Sequence, residues 1–378
     1  MNSGIAVDVK LDRKPLTCVS MFSGAMGLDL GLEAAGFQAR LAGDSWMPAV
    51  QTIRANRPQL PVFDGDVRQL SGDQVRELAQ LEDLDLLAGG PPCQSFSTAG
   101  KRLSVDDAKN GPLVFEFVRL VSELRPKAFL MENVKGILSA PLLWRELPYN
   151  NNGKRIDDQY GALLGAVSGS FRSLGYSVEV FVLNSADFGV PQARQRVFIV
   201  GHRGGDQPAT PKQTHAPQAD LVHSRWVTIR DAWQNLPDEA VHCAKFSERK
   251  LHYLKMVPAG QNWRALPLDV QKESMGRAFH AKGGRTGYWR RLSLDETSPT
   301  VLTEPQNAST SLCHPTEHRP INVREAARLQ TFPDHWQFQG RGADQYRLIG
   351  NAVPPLLGKA VGESVVAVLD RANLAAAA

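Results

Sequence analysis

The sequence predicts an α/β protein built on a doubly wound, mostly parallel sheet, with a second, smaller and irregular domain. Three observations predict it. Over the first two hundred residues, short apolar runs alternate with amphipathic stretches at the spacing of strand–helix units. Glycines and other unusual residues gather at the carboxyl ends of those runs, where ligands bind in such sheets. From about residue 202 to 319 the alternation stops, and Pro, Gly, His and Trp become frequent.

Taken in order, PLTCVSMF (15–22) is apolar throughout and predicts a buried strand. A Gly-punctuated turn follows, then the helix-like GLDLGLEAAG (27–36). A short strand near 38–43 leads to a helix over 46–56 and to VFDGDV (62–67), a third strand end. LDLLAGG (84–90) is an apolar strand ending in glycines. LVFEFVRLVSEL (113–124) carries helical periodicity and stops before Arg125-Pro126. AFLMENV (128–134), YSVEVFVL (176–183) and RVFIVG (196–201) complete the strands. Beyond the irregular stretch, VREAARLQTF (323–332) and AVPPLLGKAVGESVVAVLDRA (352–372) read as helices, the last packing back on the first domain. The domain boundaries that follow are 1–201, 202–318 and 319–378.

Composition narrows the class. A chain of 378 residues with 42% hydrophobic and 22% charged content describes a globular protein with a sizeable core, not a disordered or fibrous one. A net charge of +4 is compatible with a polyanionic partner without demanding one. Cys18, Cys93, Cys243 and Cys313 have no paired CxxC spacing, which reads as reduced thiols rather than a disulfide framework. No run of 18 apolar residues and no signal-peptide pattern is seen, so the cytoplasm is the expected compartment.

Four segments carry chemistry. FSGAMGLDLGLEAAG (22–36) sets glycines between strand and helix, so backbone approaches a ligand at a helix N-terminus, or simply makes a structural turn. Asp44 follows Gly24 by 20 residues, the offset at which an acid reaches ribose hydroxyls. Asp66, at the third strand end, is placed to accept from an adenine amino group. No phosphate-binding lysine accompanies them, so an adenosyl ligand without phosphates fits better than a nucleoside triphosphate. GGPPCQSFSTAGKR (89–102) presents Cys93 after two prolines that fix its approach. A free thiol is only roughly 3% thiolate at pH 7, so a nucleophile here needs help, for which Lys101 and Arg102 are nearby. AFLMENV delivers Glu132 to the same sheet edge, either as a strand-end charge or as a partly protonated acid against a base edge. QARQRVFIVG (192–201) places Gln192, Arg194 and Arg196 on one face, solvated or bound to a carbonyl oxygen or phosphates.

Together these segments resemble the ordered motif set of the DNA (cytosine-5)-methyltransferase family, of bacterial restriction-modification type, from about 16 to 358. FSGAMGLDLG is similar to its first cofactor motif, GGPPCQSFS to its nucleophile motif, and ENV and QARQR to the two that follow. HRPINVREAARLQTFPD (318–334) and YRLIGNAVPPLLG (346–358) resemble the closing pair. The resemblance implies a Rossmann-like methyltransferase sheet, S-adenosyl-L-methionine as donor, and methylation of a flipped-out cytosine in duplex DNA. It implies Phe22 against the adenine, Gly24 and Gly27 in the turn, Asp44 on the ribose, Asp66 on the adenine amino group, and Asn351 and Val353 at the methionine side. Asp44 stands where a longer Glu is frequent, which makes the ribose contact less direct. Cys93 would add to carbon-6, Glu132 would donate to ring nitrogen 3, and Arg194 would hold the carbonyl oxygen, with Arg196 beside it. STAGKRLSVDDAKNG (97–111) is the candidate closing loop.

Residues 202–318 would then be the target-recognition domain. In 202–300 there are 15 Lys/Arg against 10 Asp/Glu, and GRAFHAKGGRTGYWRR (276–291) has five basic residues and no acidic one. Interleaved with Tyr288 and Trp289, Arg285, Arg290 and Arg291 suit DNA phosphates, although a solvated loop is the ordinary fate of such a run. SPTVLTE (298–304) resembles the family's recognition signature, with Thr300 and Val301 as its Thr-aliphatic pair, and Gln192 is grouped with them as a DNA contact. Cys313, His314 and His318 lack a second ligand pair, so no metal is expected. A monomer paired with a restriction endonuclease is expected. Two other readings remain: an RNA-directed enzyme on the same scaffold, and a catalytically silent DNA-binding relative.

Overall fold

In the computed structural model, residues 15–92, 113–140, 161–237, 241–280 and 285–377 are described. The central sheet has seven strands: β1 (Leu16–Met21), β2 (Phe37–Gly43), β3 (Val62–Phe63), β4 (Leu86–Gly89), β5 (Ala128–Val134), β6 (Ser177–Asn184) and β8 (Gln195–His202), with the two-residue β7 (Gln192–Ala193) outside it. Their order is β3-β2-β1-β4-β5-β8-β6. Neighbours from β3 to β5 run parallel, and β8 is antiparallel to both β5 and β6. The chain moves outward from β1 to β3 and then returns to the other side of β1 with β4. That reversal opens the crevice at the carboxyl ends of β1 and β4.

Strand alternation sorts the apolar residues into two layers. Val19, Met21, Leu87, Phe129, Met131, Val197 and Ile199 face one core with α3 (Gly72–Ala79), α4 (Leu113–Leu124) and α5 (Ala162–Ser173). Helix α4 buries Leu113, Val114, Phe117, Leu120, Val121 and Leu124, the stripe its periodicity predicts. Cys18, Leu86, Ala88, Leu130, Phe198 and Val200 face the other core with α1 (Gly27–Ala34) and α11 (Pro355–Ala377). Sheets covered on both faces need strands that are apolar throughout, and β1 is buried at all six positions.

A third core joins α2 (Met47–Asn56) to α6 (Ile229–Ala232), α9 (Val323–Leu329) and α10 (Gly342–Asn351), with Leu292, Val301 and Leu312 packed among them. A fourth lies within the irregular region: α7 (Glu248–Lys255) and α8 (Leu268–Met275) close over Trp263, Trp289 and Cys313. The pairs β9 (His215–Ala216) with β10 (Ser224–Arg225), and β11 (Ser298–Pro299) with β7, are the only sheets outside the central one among the described residues.

The last helix differs from the reading at 352–372. Val353 precedes Pro354, which disfavours helical backbone there, and Pro355 is a natural first helical residue. The chain therefore leaves α10 at Asn351, runs extended through Ala352, and starts α11 at Pro355. The stretch Gly342–Ala372 is long and apolar enough to span a membrane by composition, but the greater part of its most apolar 18-residue window is buried, and α11 packs on α1. Helices α3, α5 and α10, and the short α6, α7 and α8 of the irregular region, were not anticipated.

Candidate active site

A cavity of about 510 Å³ opens at the carboxyl ends of β1–β5. That size holds a ligand of cofactor dimensions. Phe22, Gly24, Gly27, Asp44, Asp66, Glu132, Arg196, Asn351 and Val353 all line it. Cys93 and the candidate loop 97–111 lie outside the described residues, but Pro91 and Pro92, which lead into Cys93, form part of the wall.

The turn after β1 is wound tightly. Phe22, Gly24 and Met26 all take positive φ, at 58°, 56° and 62°. The Ser23 hydroxyl donates to Ser20, and the Ser23 amide donates to the Gly43 carbonyl at 3.0 Å, tying the ends of β1 and β2 together. Gly27 is required for packing: a Cβ there would collide with the Val353 carbonyl oxygen. The absence of a side chain lets the α10–α11 link close over the start of α1, which is how Asn351 and Val353 reach the cavity.

Asp44 accepts from the Gly24 amide at 2.9 Å with Oδ2 and from the Trp46 amide at 2.8 Å with Oδ1. Burial raises its pKa, against those amides. Each oxygen keeps a lone pair for a ligand. Asp66 is held by the Arg68 guanidinium at 3.0 Å, which keeps its carboxyl below the ordinary range.

Glu132 is buried at the end of β5, and its Oε1 lies 2.9 Å from Arg196 Nε. Burial pushes its carboxyl up, against Arg196 and then Arg194. Its Oε2 faces Gly90, where even a Cβ would approach to 3.0 Å. One face of the acid is thus ion-paired, and the other looks onto the segment that leads to Cys93. Asn133 anchors that segment by donating to the Pro91 carbonyl at 3.4 Å.

Four expected roles need correction. The guanidinium of Arg194 is buried and donates to the carbonyls of Val301, at 3.1 Å, and Gly350, at 2.8 Å. The arginine at Glu132 is Arg196, because Gln195–His202 form strand β8 and its pairing with β5 brings Arg196 opposite Val134. Gln192 is fully buried: its amide nitrogen donates to Gln330 Oε1 at 2.9 Å, and its oxygen accepts from the Val301 amide at 2.7 Å. Val301 packs in the third core and has no exposed side chain to offer DNA. Arg291 is also buried, donating to the carbonyls of Val257, Leu254, His314 and Glu317 at 2.7–2.9 Å, so it staples the fourth core instead of meeting phosphates. Arg285, Arg290 and Thr300 remain half-buried at the surface. Each donates to a backbone carbonyl, of Phe279, Ser311 and Ala193 respectively.

The sequence reading missed three cavity residues. Trp46 follows Asp44 by two residues at a strand–helix turn, and Arg347 lies 4.4 Å over its ring. Arg347 precedes Asn351 by one helical turn, a spacing that would have placed both on one face. The third is Asp29, in the first turn of α1, 2% exposed and with neither carboxylate oxygen hydrogen-bonded.

A doubly wound sheet with an acid–arginine pair and a strained glycine turn at its switch point defines a Rossmann-like enzyme working on a ligand at the carboxyl edge. The family model for C-5 cytosine-specific DNA methylase matches residues 16–367. The chain belongs to this family and is a DNA cytosine methyltransferase. It is 40% identical to Type II methyltransferase M.Eco47II of Escherichia coli, across 97% of this chain and 82% of that one. It is 37% identical to Type II methyltransferase M.PspPI of Psychrobacter sp. (strain TA137), across 94% and 80%. The solved structure of Entamoeba histolytica methyltransferase EhMeth matches the fold with a TM-score of 0.64 at 14% identity, covering 94% of this chain and 99% of that one.

Proposed function

We propose that the enzyme transfers a methyl group from S-adenosyl-L-methionine to carbon-5 of a cytosine extruded from a specific duplex DNA sequence, through a covalent Cys93 adduct at carbon-6. The observation that carries the reading is the placement of the Glu132–Arg196 pair in the same cavity as the Gly24–Asp44 turn, against the Pro91-Pro92 segment that leads to Cys93.

Carbon-5 of cytosine is a poor nucleophile. Addition of the Cys93 thiolate to carbon-6 turns the ring into an enamine and makes carbon-5 reactive. Glu132, held toward its protonated form by burial, donates to ring nitrogen 3 as negative charge develops. Arg196, rather than Arg194, holds the carbonyl oxygen, since it is the arginine on the cavity wall. When bound, S-adenosylmethionine supplies an electrophilic methyl on a sulfonium. Phe22 would lie against its adenine, Gly24 and Gly27 would give the turn its close approach, and Asp44 would take the ribose, Asp66 the adenine amino group, and Asn351 and Val353 the methionine side. A water removes the carbon-5 proton afterwards, and the Cys93 thiolate leaves. The base edge is unreachable inside a duplex, so the cytosine is flipped out, at a cost of a few kcal/mol.

Residues 202–318 are assigned as the DNA-reading domain, with Arg285, Arg290 and Thr300 as its remaining candidates for contact. We further infer a cytoplasmic monomer, and the Type II designation of its relatives supports a restriction endonuclease partner. Incubation with labelled S-adenosylmethionine and either duplex DNA or tRNA, followed by bisulfite sequencing, tests the reading. Label on cytosines of DNA, abolished by Cys93→Ser, is expected. Label on tRNA alone, or methylation retained by the variant, would overturn it.

A further inference from the structure

Among the described residues, four carboxylates border the cavity: Asp29, Asp44, Asp66 and Glu132. Three have partners within the chain. Asp44 takes two backbone amides, Asp66 is gripped by Arg68, and Glu132 is paired with Arg196. Asp29 has none of these. It is 2% exposed, and neither oxygen completes a hydrogen bond, although the Ser20 hydroxyl is close enough to favour its charged form. The nearest cation acting on it, Arg57, is committed to Glu33 at 2.7 Å and lies over the Trp336 ring at 5.1 Å.

A buried carboxylate without a counter-charge is costly, and a fold retains one only where something else supplies the compensation. Its position says what that is. Asp29 lies on the cavity wall in the first turn of α1, two residues past Gly27, whose missing Cβ makes room for the Val353 carbonyl, whereas Asp44 and Asp66 follow β2 and β3. We propose that the Asp29 carboxylate is the counter-charge for the α-ammonium group at the methionine end of the cofactor. The inference rests on S-adenosylmethionine being the ligand of this cavity. An ammonium carries N–H donors for both carboxylate oxygens, whereas a sulfonium carries none, so the amino group is the complementary cation. The same carboxylate repels the cofactor's own carboxylate, which fixes the amino acid end in one orientation with the ammonium turned toward α1. Asp29 acts here by positioning; the reacting atoms lie elsewhere.

Titration calorimetry with two probes on the full chain separates this from a structural role. S-adenosylhomocysteine keeps the ammonium, and 5′-methylthioadenosine keeps the adenosyl part but has no amino acid. Asp29→Asn is expected to weaken S-adenosylhomocysteine roughly tenfold or more, the scale of a lost charged hydrogen bond, while 5′-methylthioadenosine changes less than about twofold. A thermal melt of the ligand-free variant verifies folding before titration. Equal weakening of both probes would mean a structural role and overturn the proposal, as would unchanged binding of both. If the wild-type chain binds neither probe, the cofactor reading itself fails, a result distinct from either.

Discussion

Replacing Asp29 by Asn in the ligand-free protein removes a buried charge without changing side-chain volume. Burial pushes this carboxyl from 3.8 up to about 7, with Ser20 opposing and Glu33 adding. A native-state pKa above the unfolded value means that the unfolded chain gives up its proton first as pH rises. Stability from this group is therefore complete below about pH 4 and is lost progressively as pH climbs to about 7. About three pKa units at 1.36 kcal/mol each make the loss roughly 4 kcal/mol at pH 8, and the depth of burial calls for no solvent discount. Asn does not titrate, so Asp29→Asn should be more stable than wild type by up to roughly 4 kcal/mol at pH 8 and by about half that near pH 5.5. Urea midpoints of both proteins at the two pH values measure it, and taking the difference cancels titrating groups that do not couple to Asp29. A variant that is less stable at pH 8, or a difference that does not change between pH 5.5 and 8, would refute the reasoning.

Two other predictions separate neighbouring residues by role. Arg194→Met strands the buried carbonyls of Val301 and Gly350 and should cost roughly 2–4 kcal/mol in urea, whereas Arg196→Met, on the cavity wall, should lower kcat on DNA with a smaller shift in midpoint; the reverse pattern would return the base-contacting role to Arg194. Glu132 must be protonated to donate, and burial raises its pKa, so the ratio of wild-type to Glu132→Gln methylation rates should fall as pH rises through that raised value. A ratio constant with pH would exclude Glu132 as the acid.

The strands and their functional ends were legible because a sheet covered on both faces demands continuous apolar runs, and LTCVSM, LLAG and AFLMEN supply them. The cavity wall followed from the same logic. Which way a polar side chain faces was not legible. In QARQR, alternation alone puts Gln192, Arg194 and Arg196 on one face, yet the chain changes partner between Ala193 and Gln195, passing from the short β7–β11 pair into the central sheet. Two of the three therefore turn into the protein and one toward the ligand. Arg291 escaped recognition for a related reason, since a guanidinium surrounded by backbone carbonyls is indistinguishable in sequence from one awaiting phosphate. Asp29 was hidden by its company, because an acid in a helix of Leu and Gly reads as the solvent face. Helices α3 and α5 went unread although α3 carries a full capping box from Ser71 and Gln74.

The buried pair Gln192 and Arg194 also ties the irregular region to the stretches of chain that line the cavity. Both side chains converge on Val301, one on its amide and the other on its carbonyl. Gln192 continues through Gln330, whose amide donates to the Ile349 carbonyl at 2.6 Å, and Arg194 reaches the Gly350 carbonyl directly. Ile349 and Gly350 are the last residues before Asn351, where α10 ends at the cavity. Gly350 is also pressed against Leu302 and Thr303, so a Cβ there would meet their backbone at 2.7 Å. The strand end that carries Arg196 toward Glu132, the segment 301–303, and the link that closes over Gly27 are therefore fastened at one point. The position of that segment and the shape of the cavity wall are set by the same hydrogen bonds, so a shift in the first cannot leave the second unchanged.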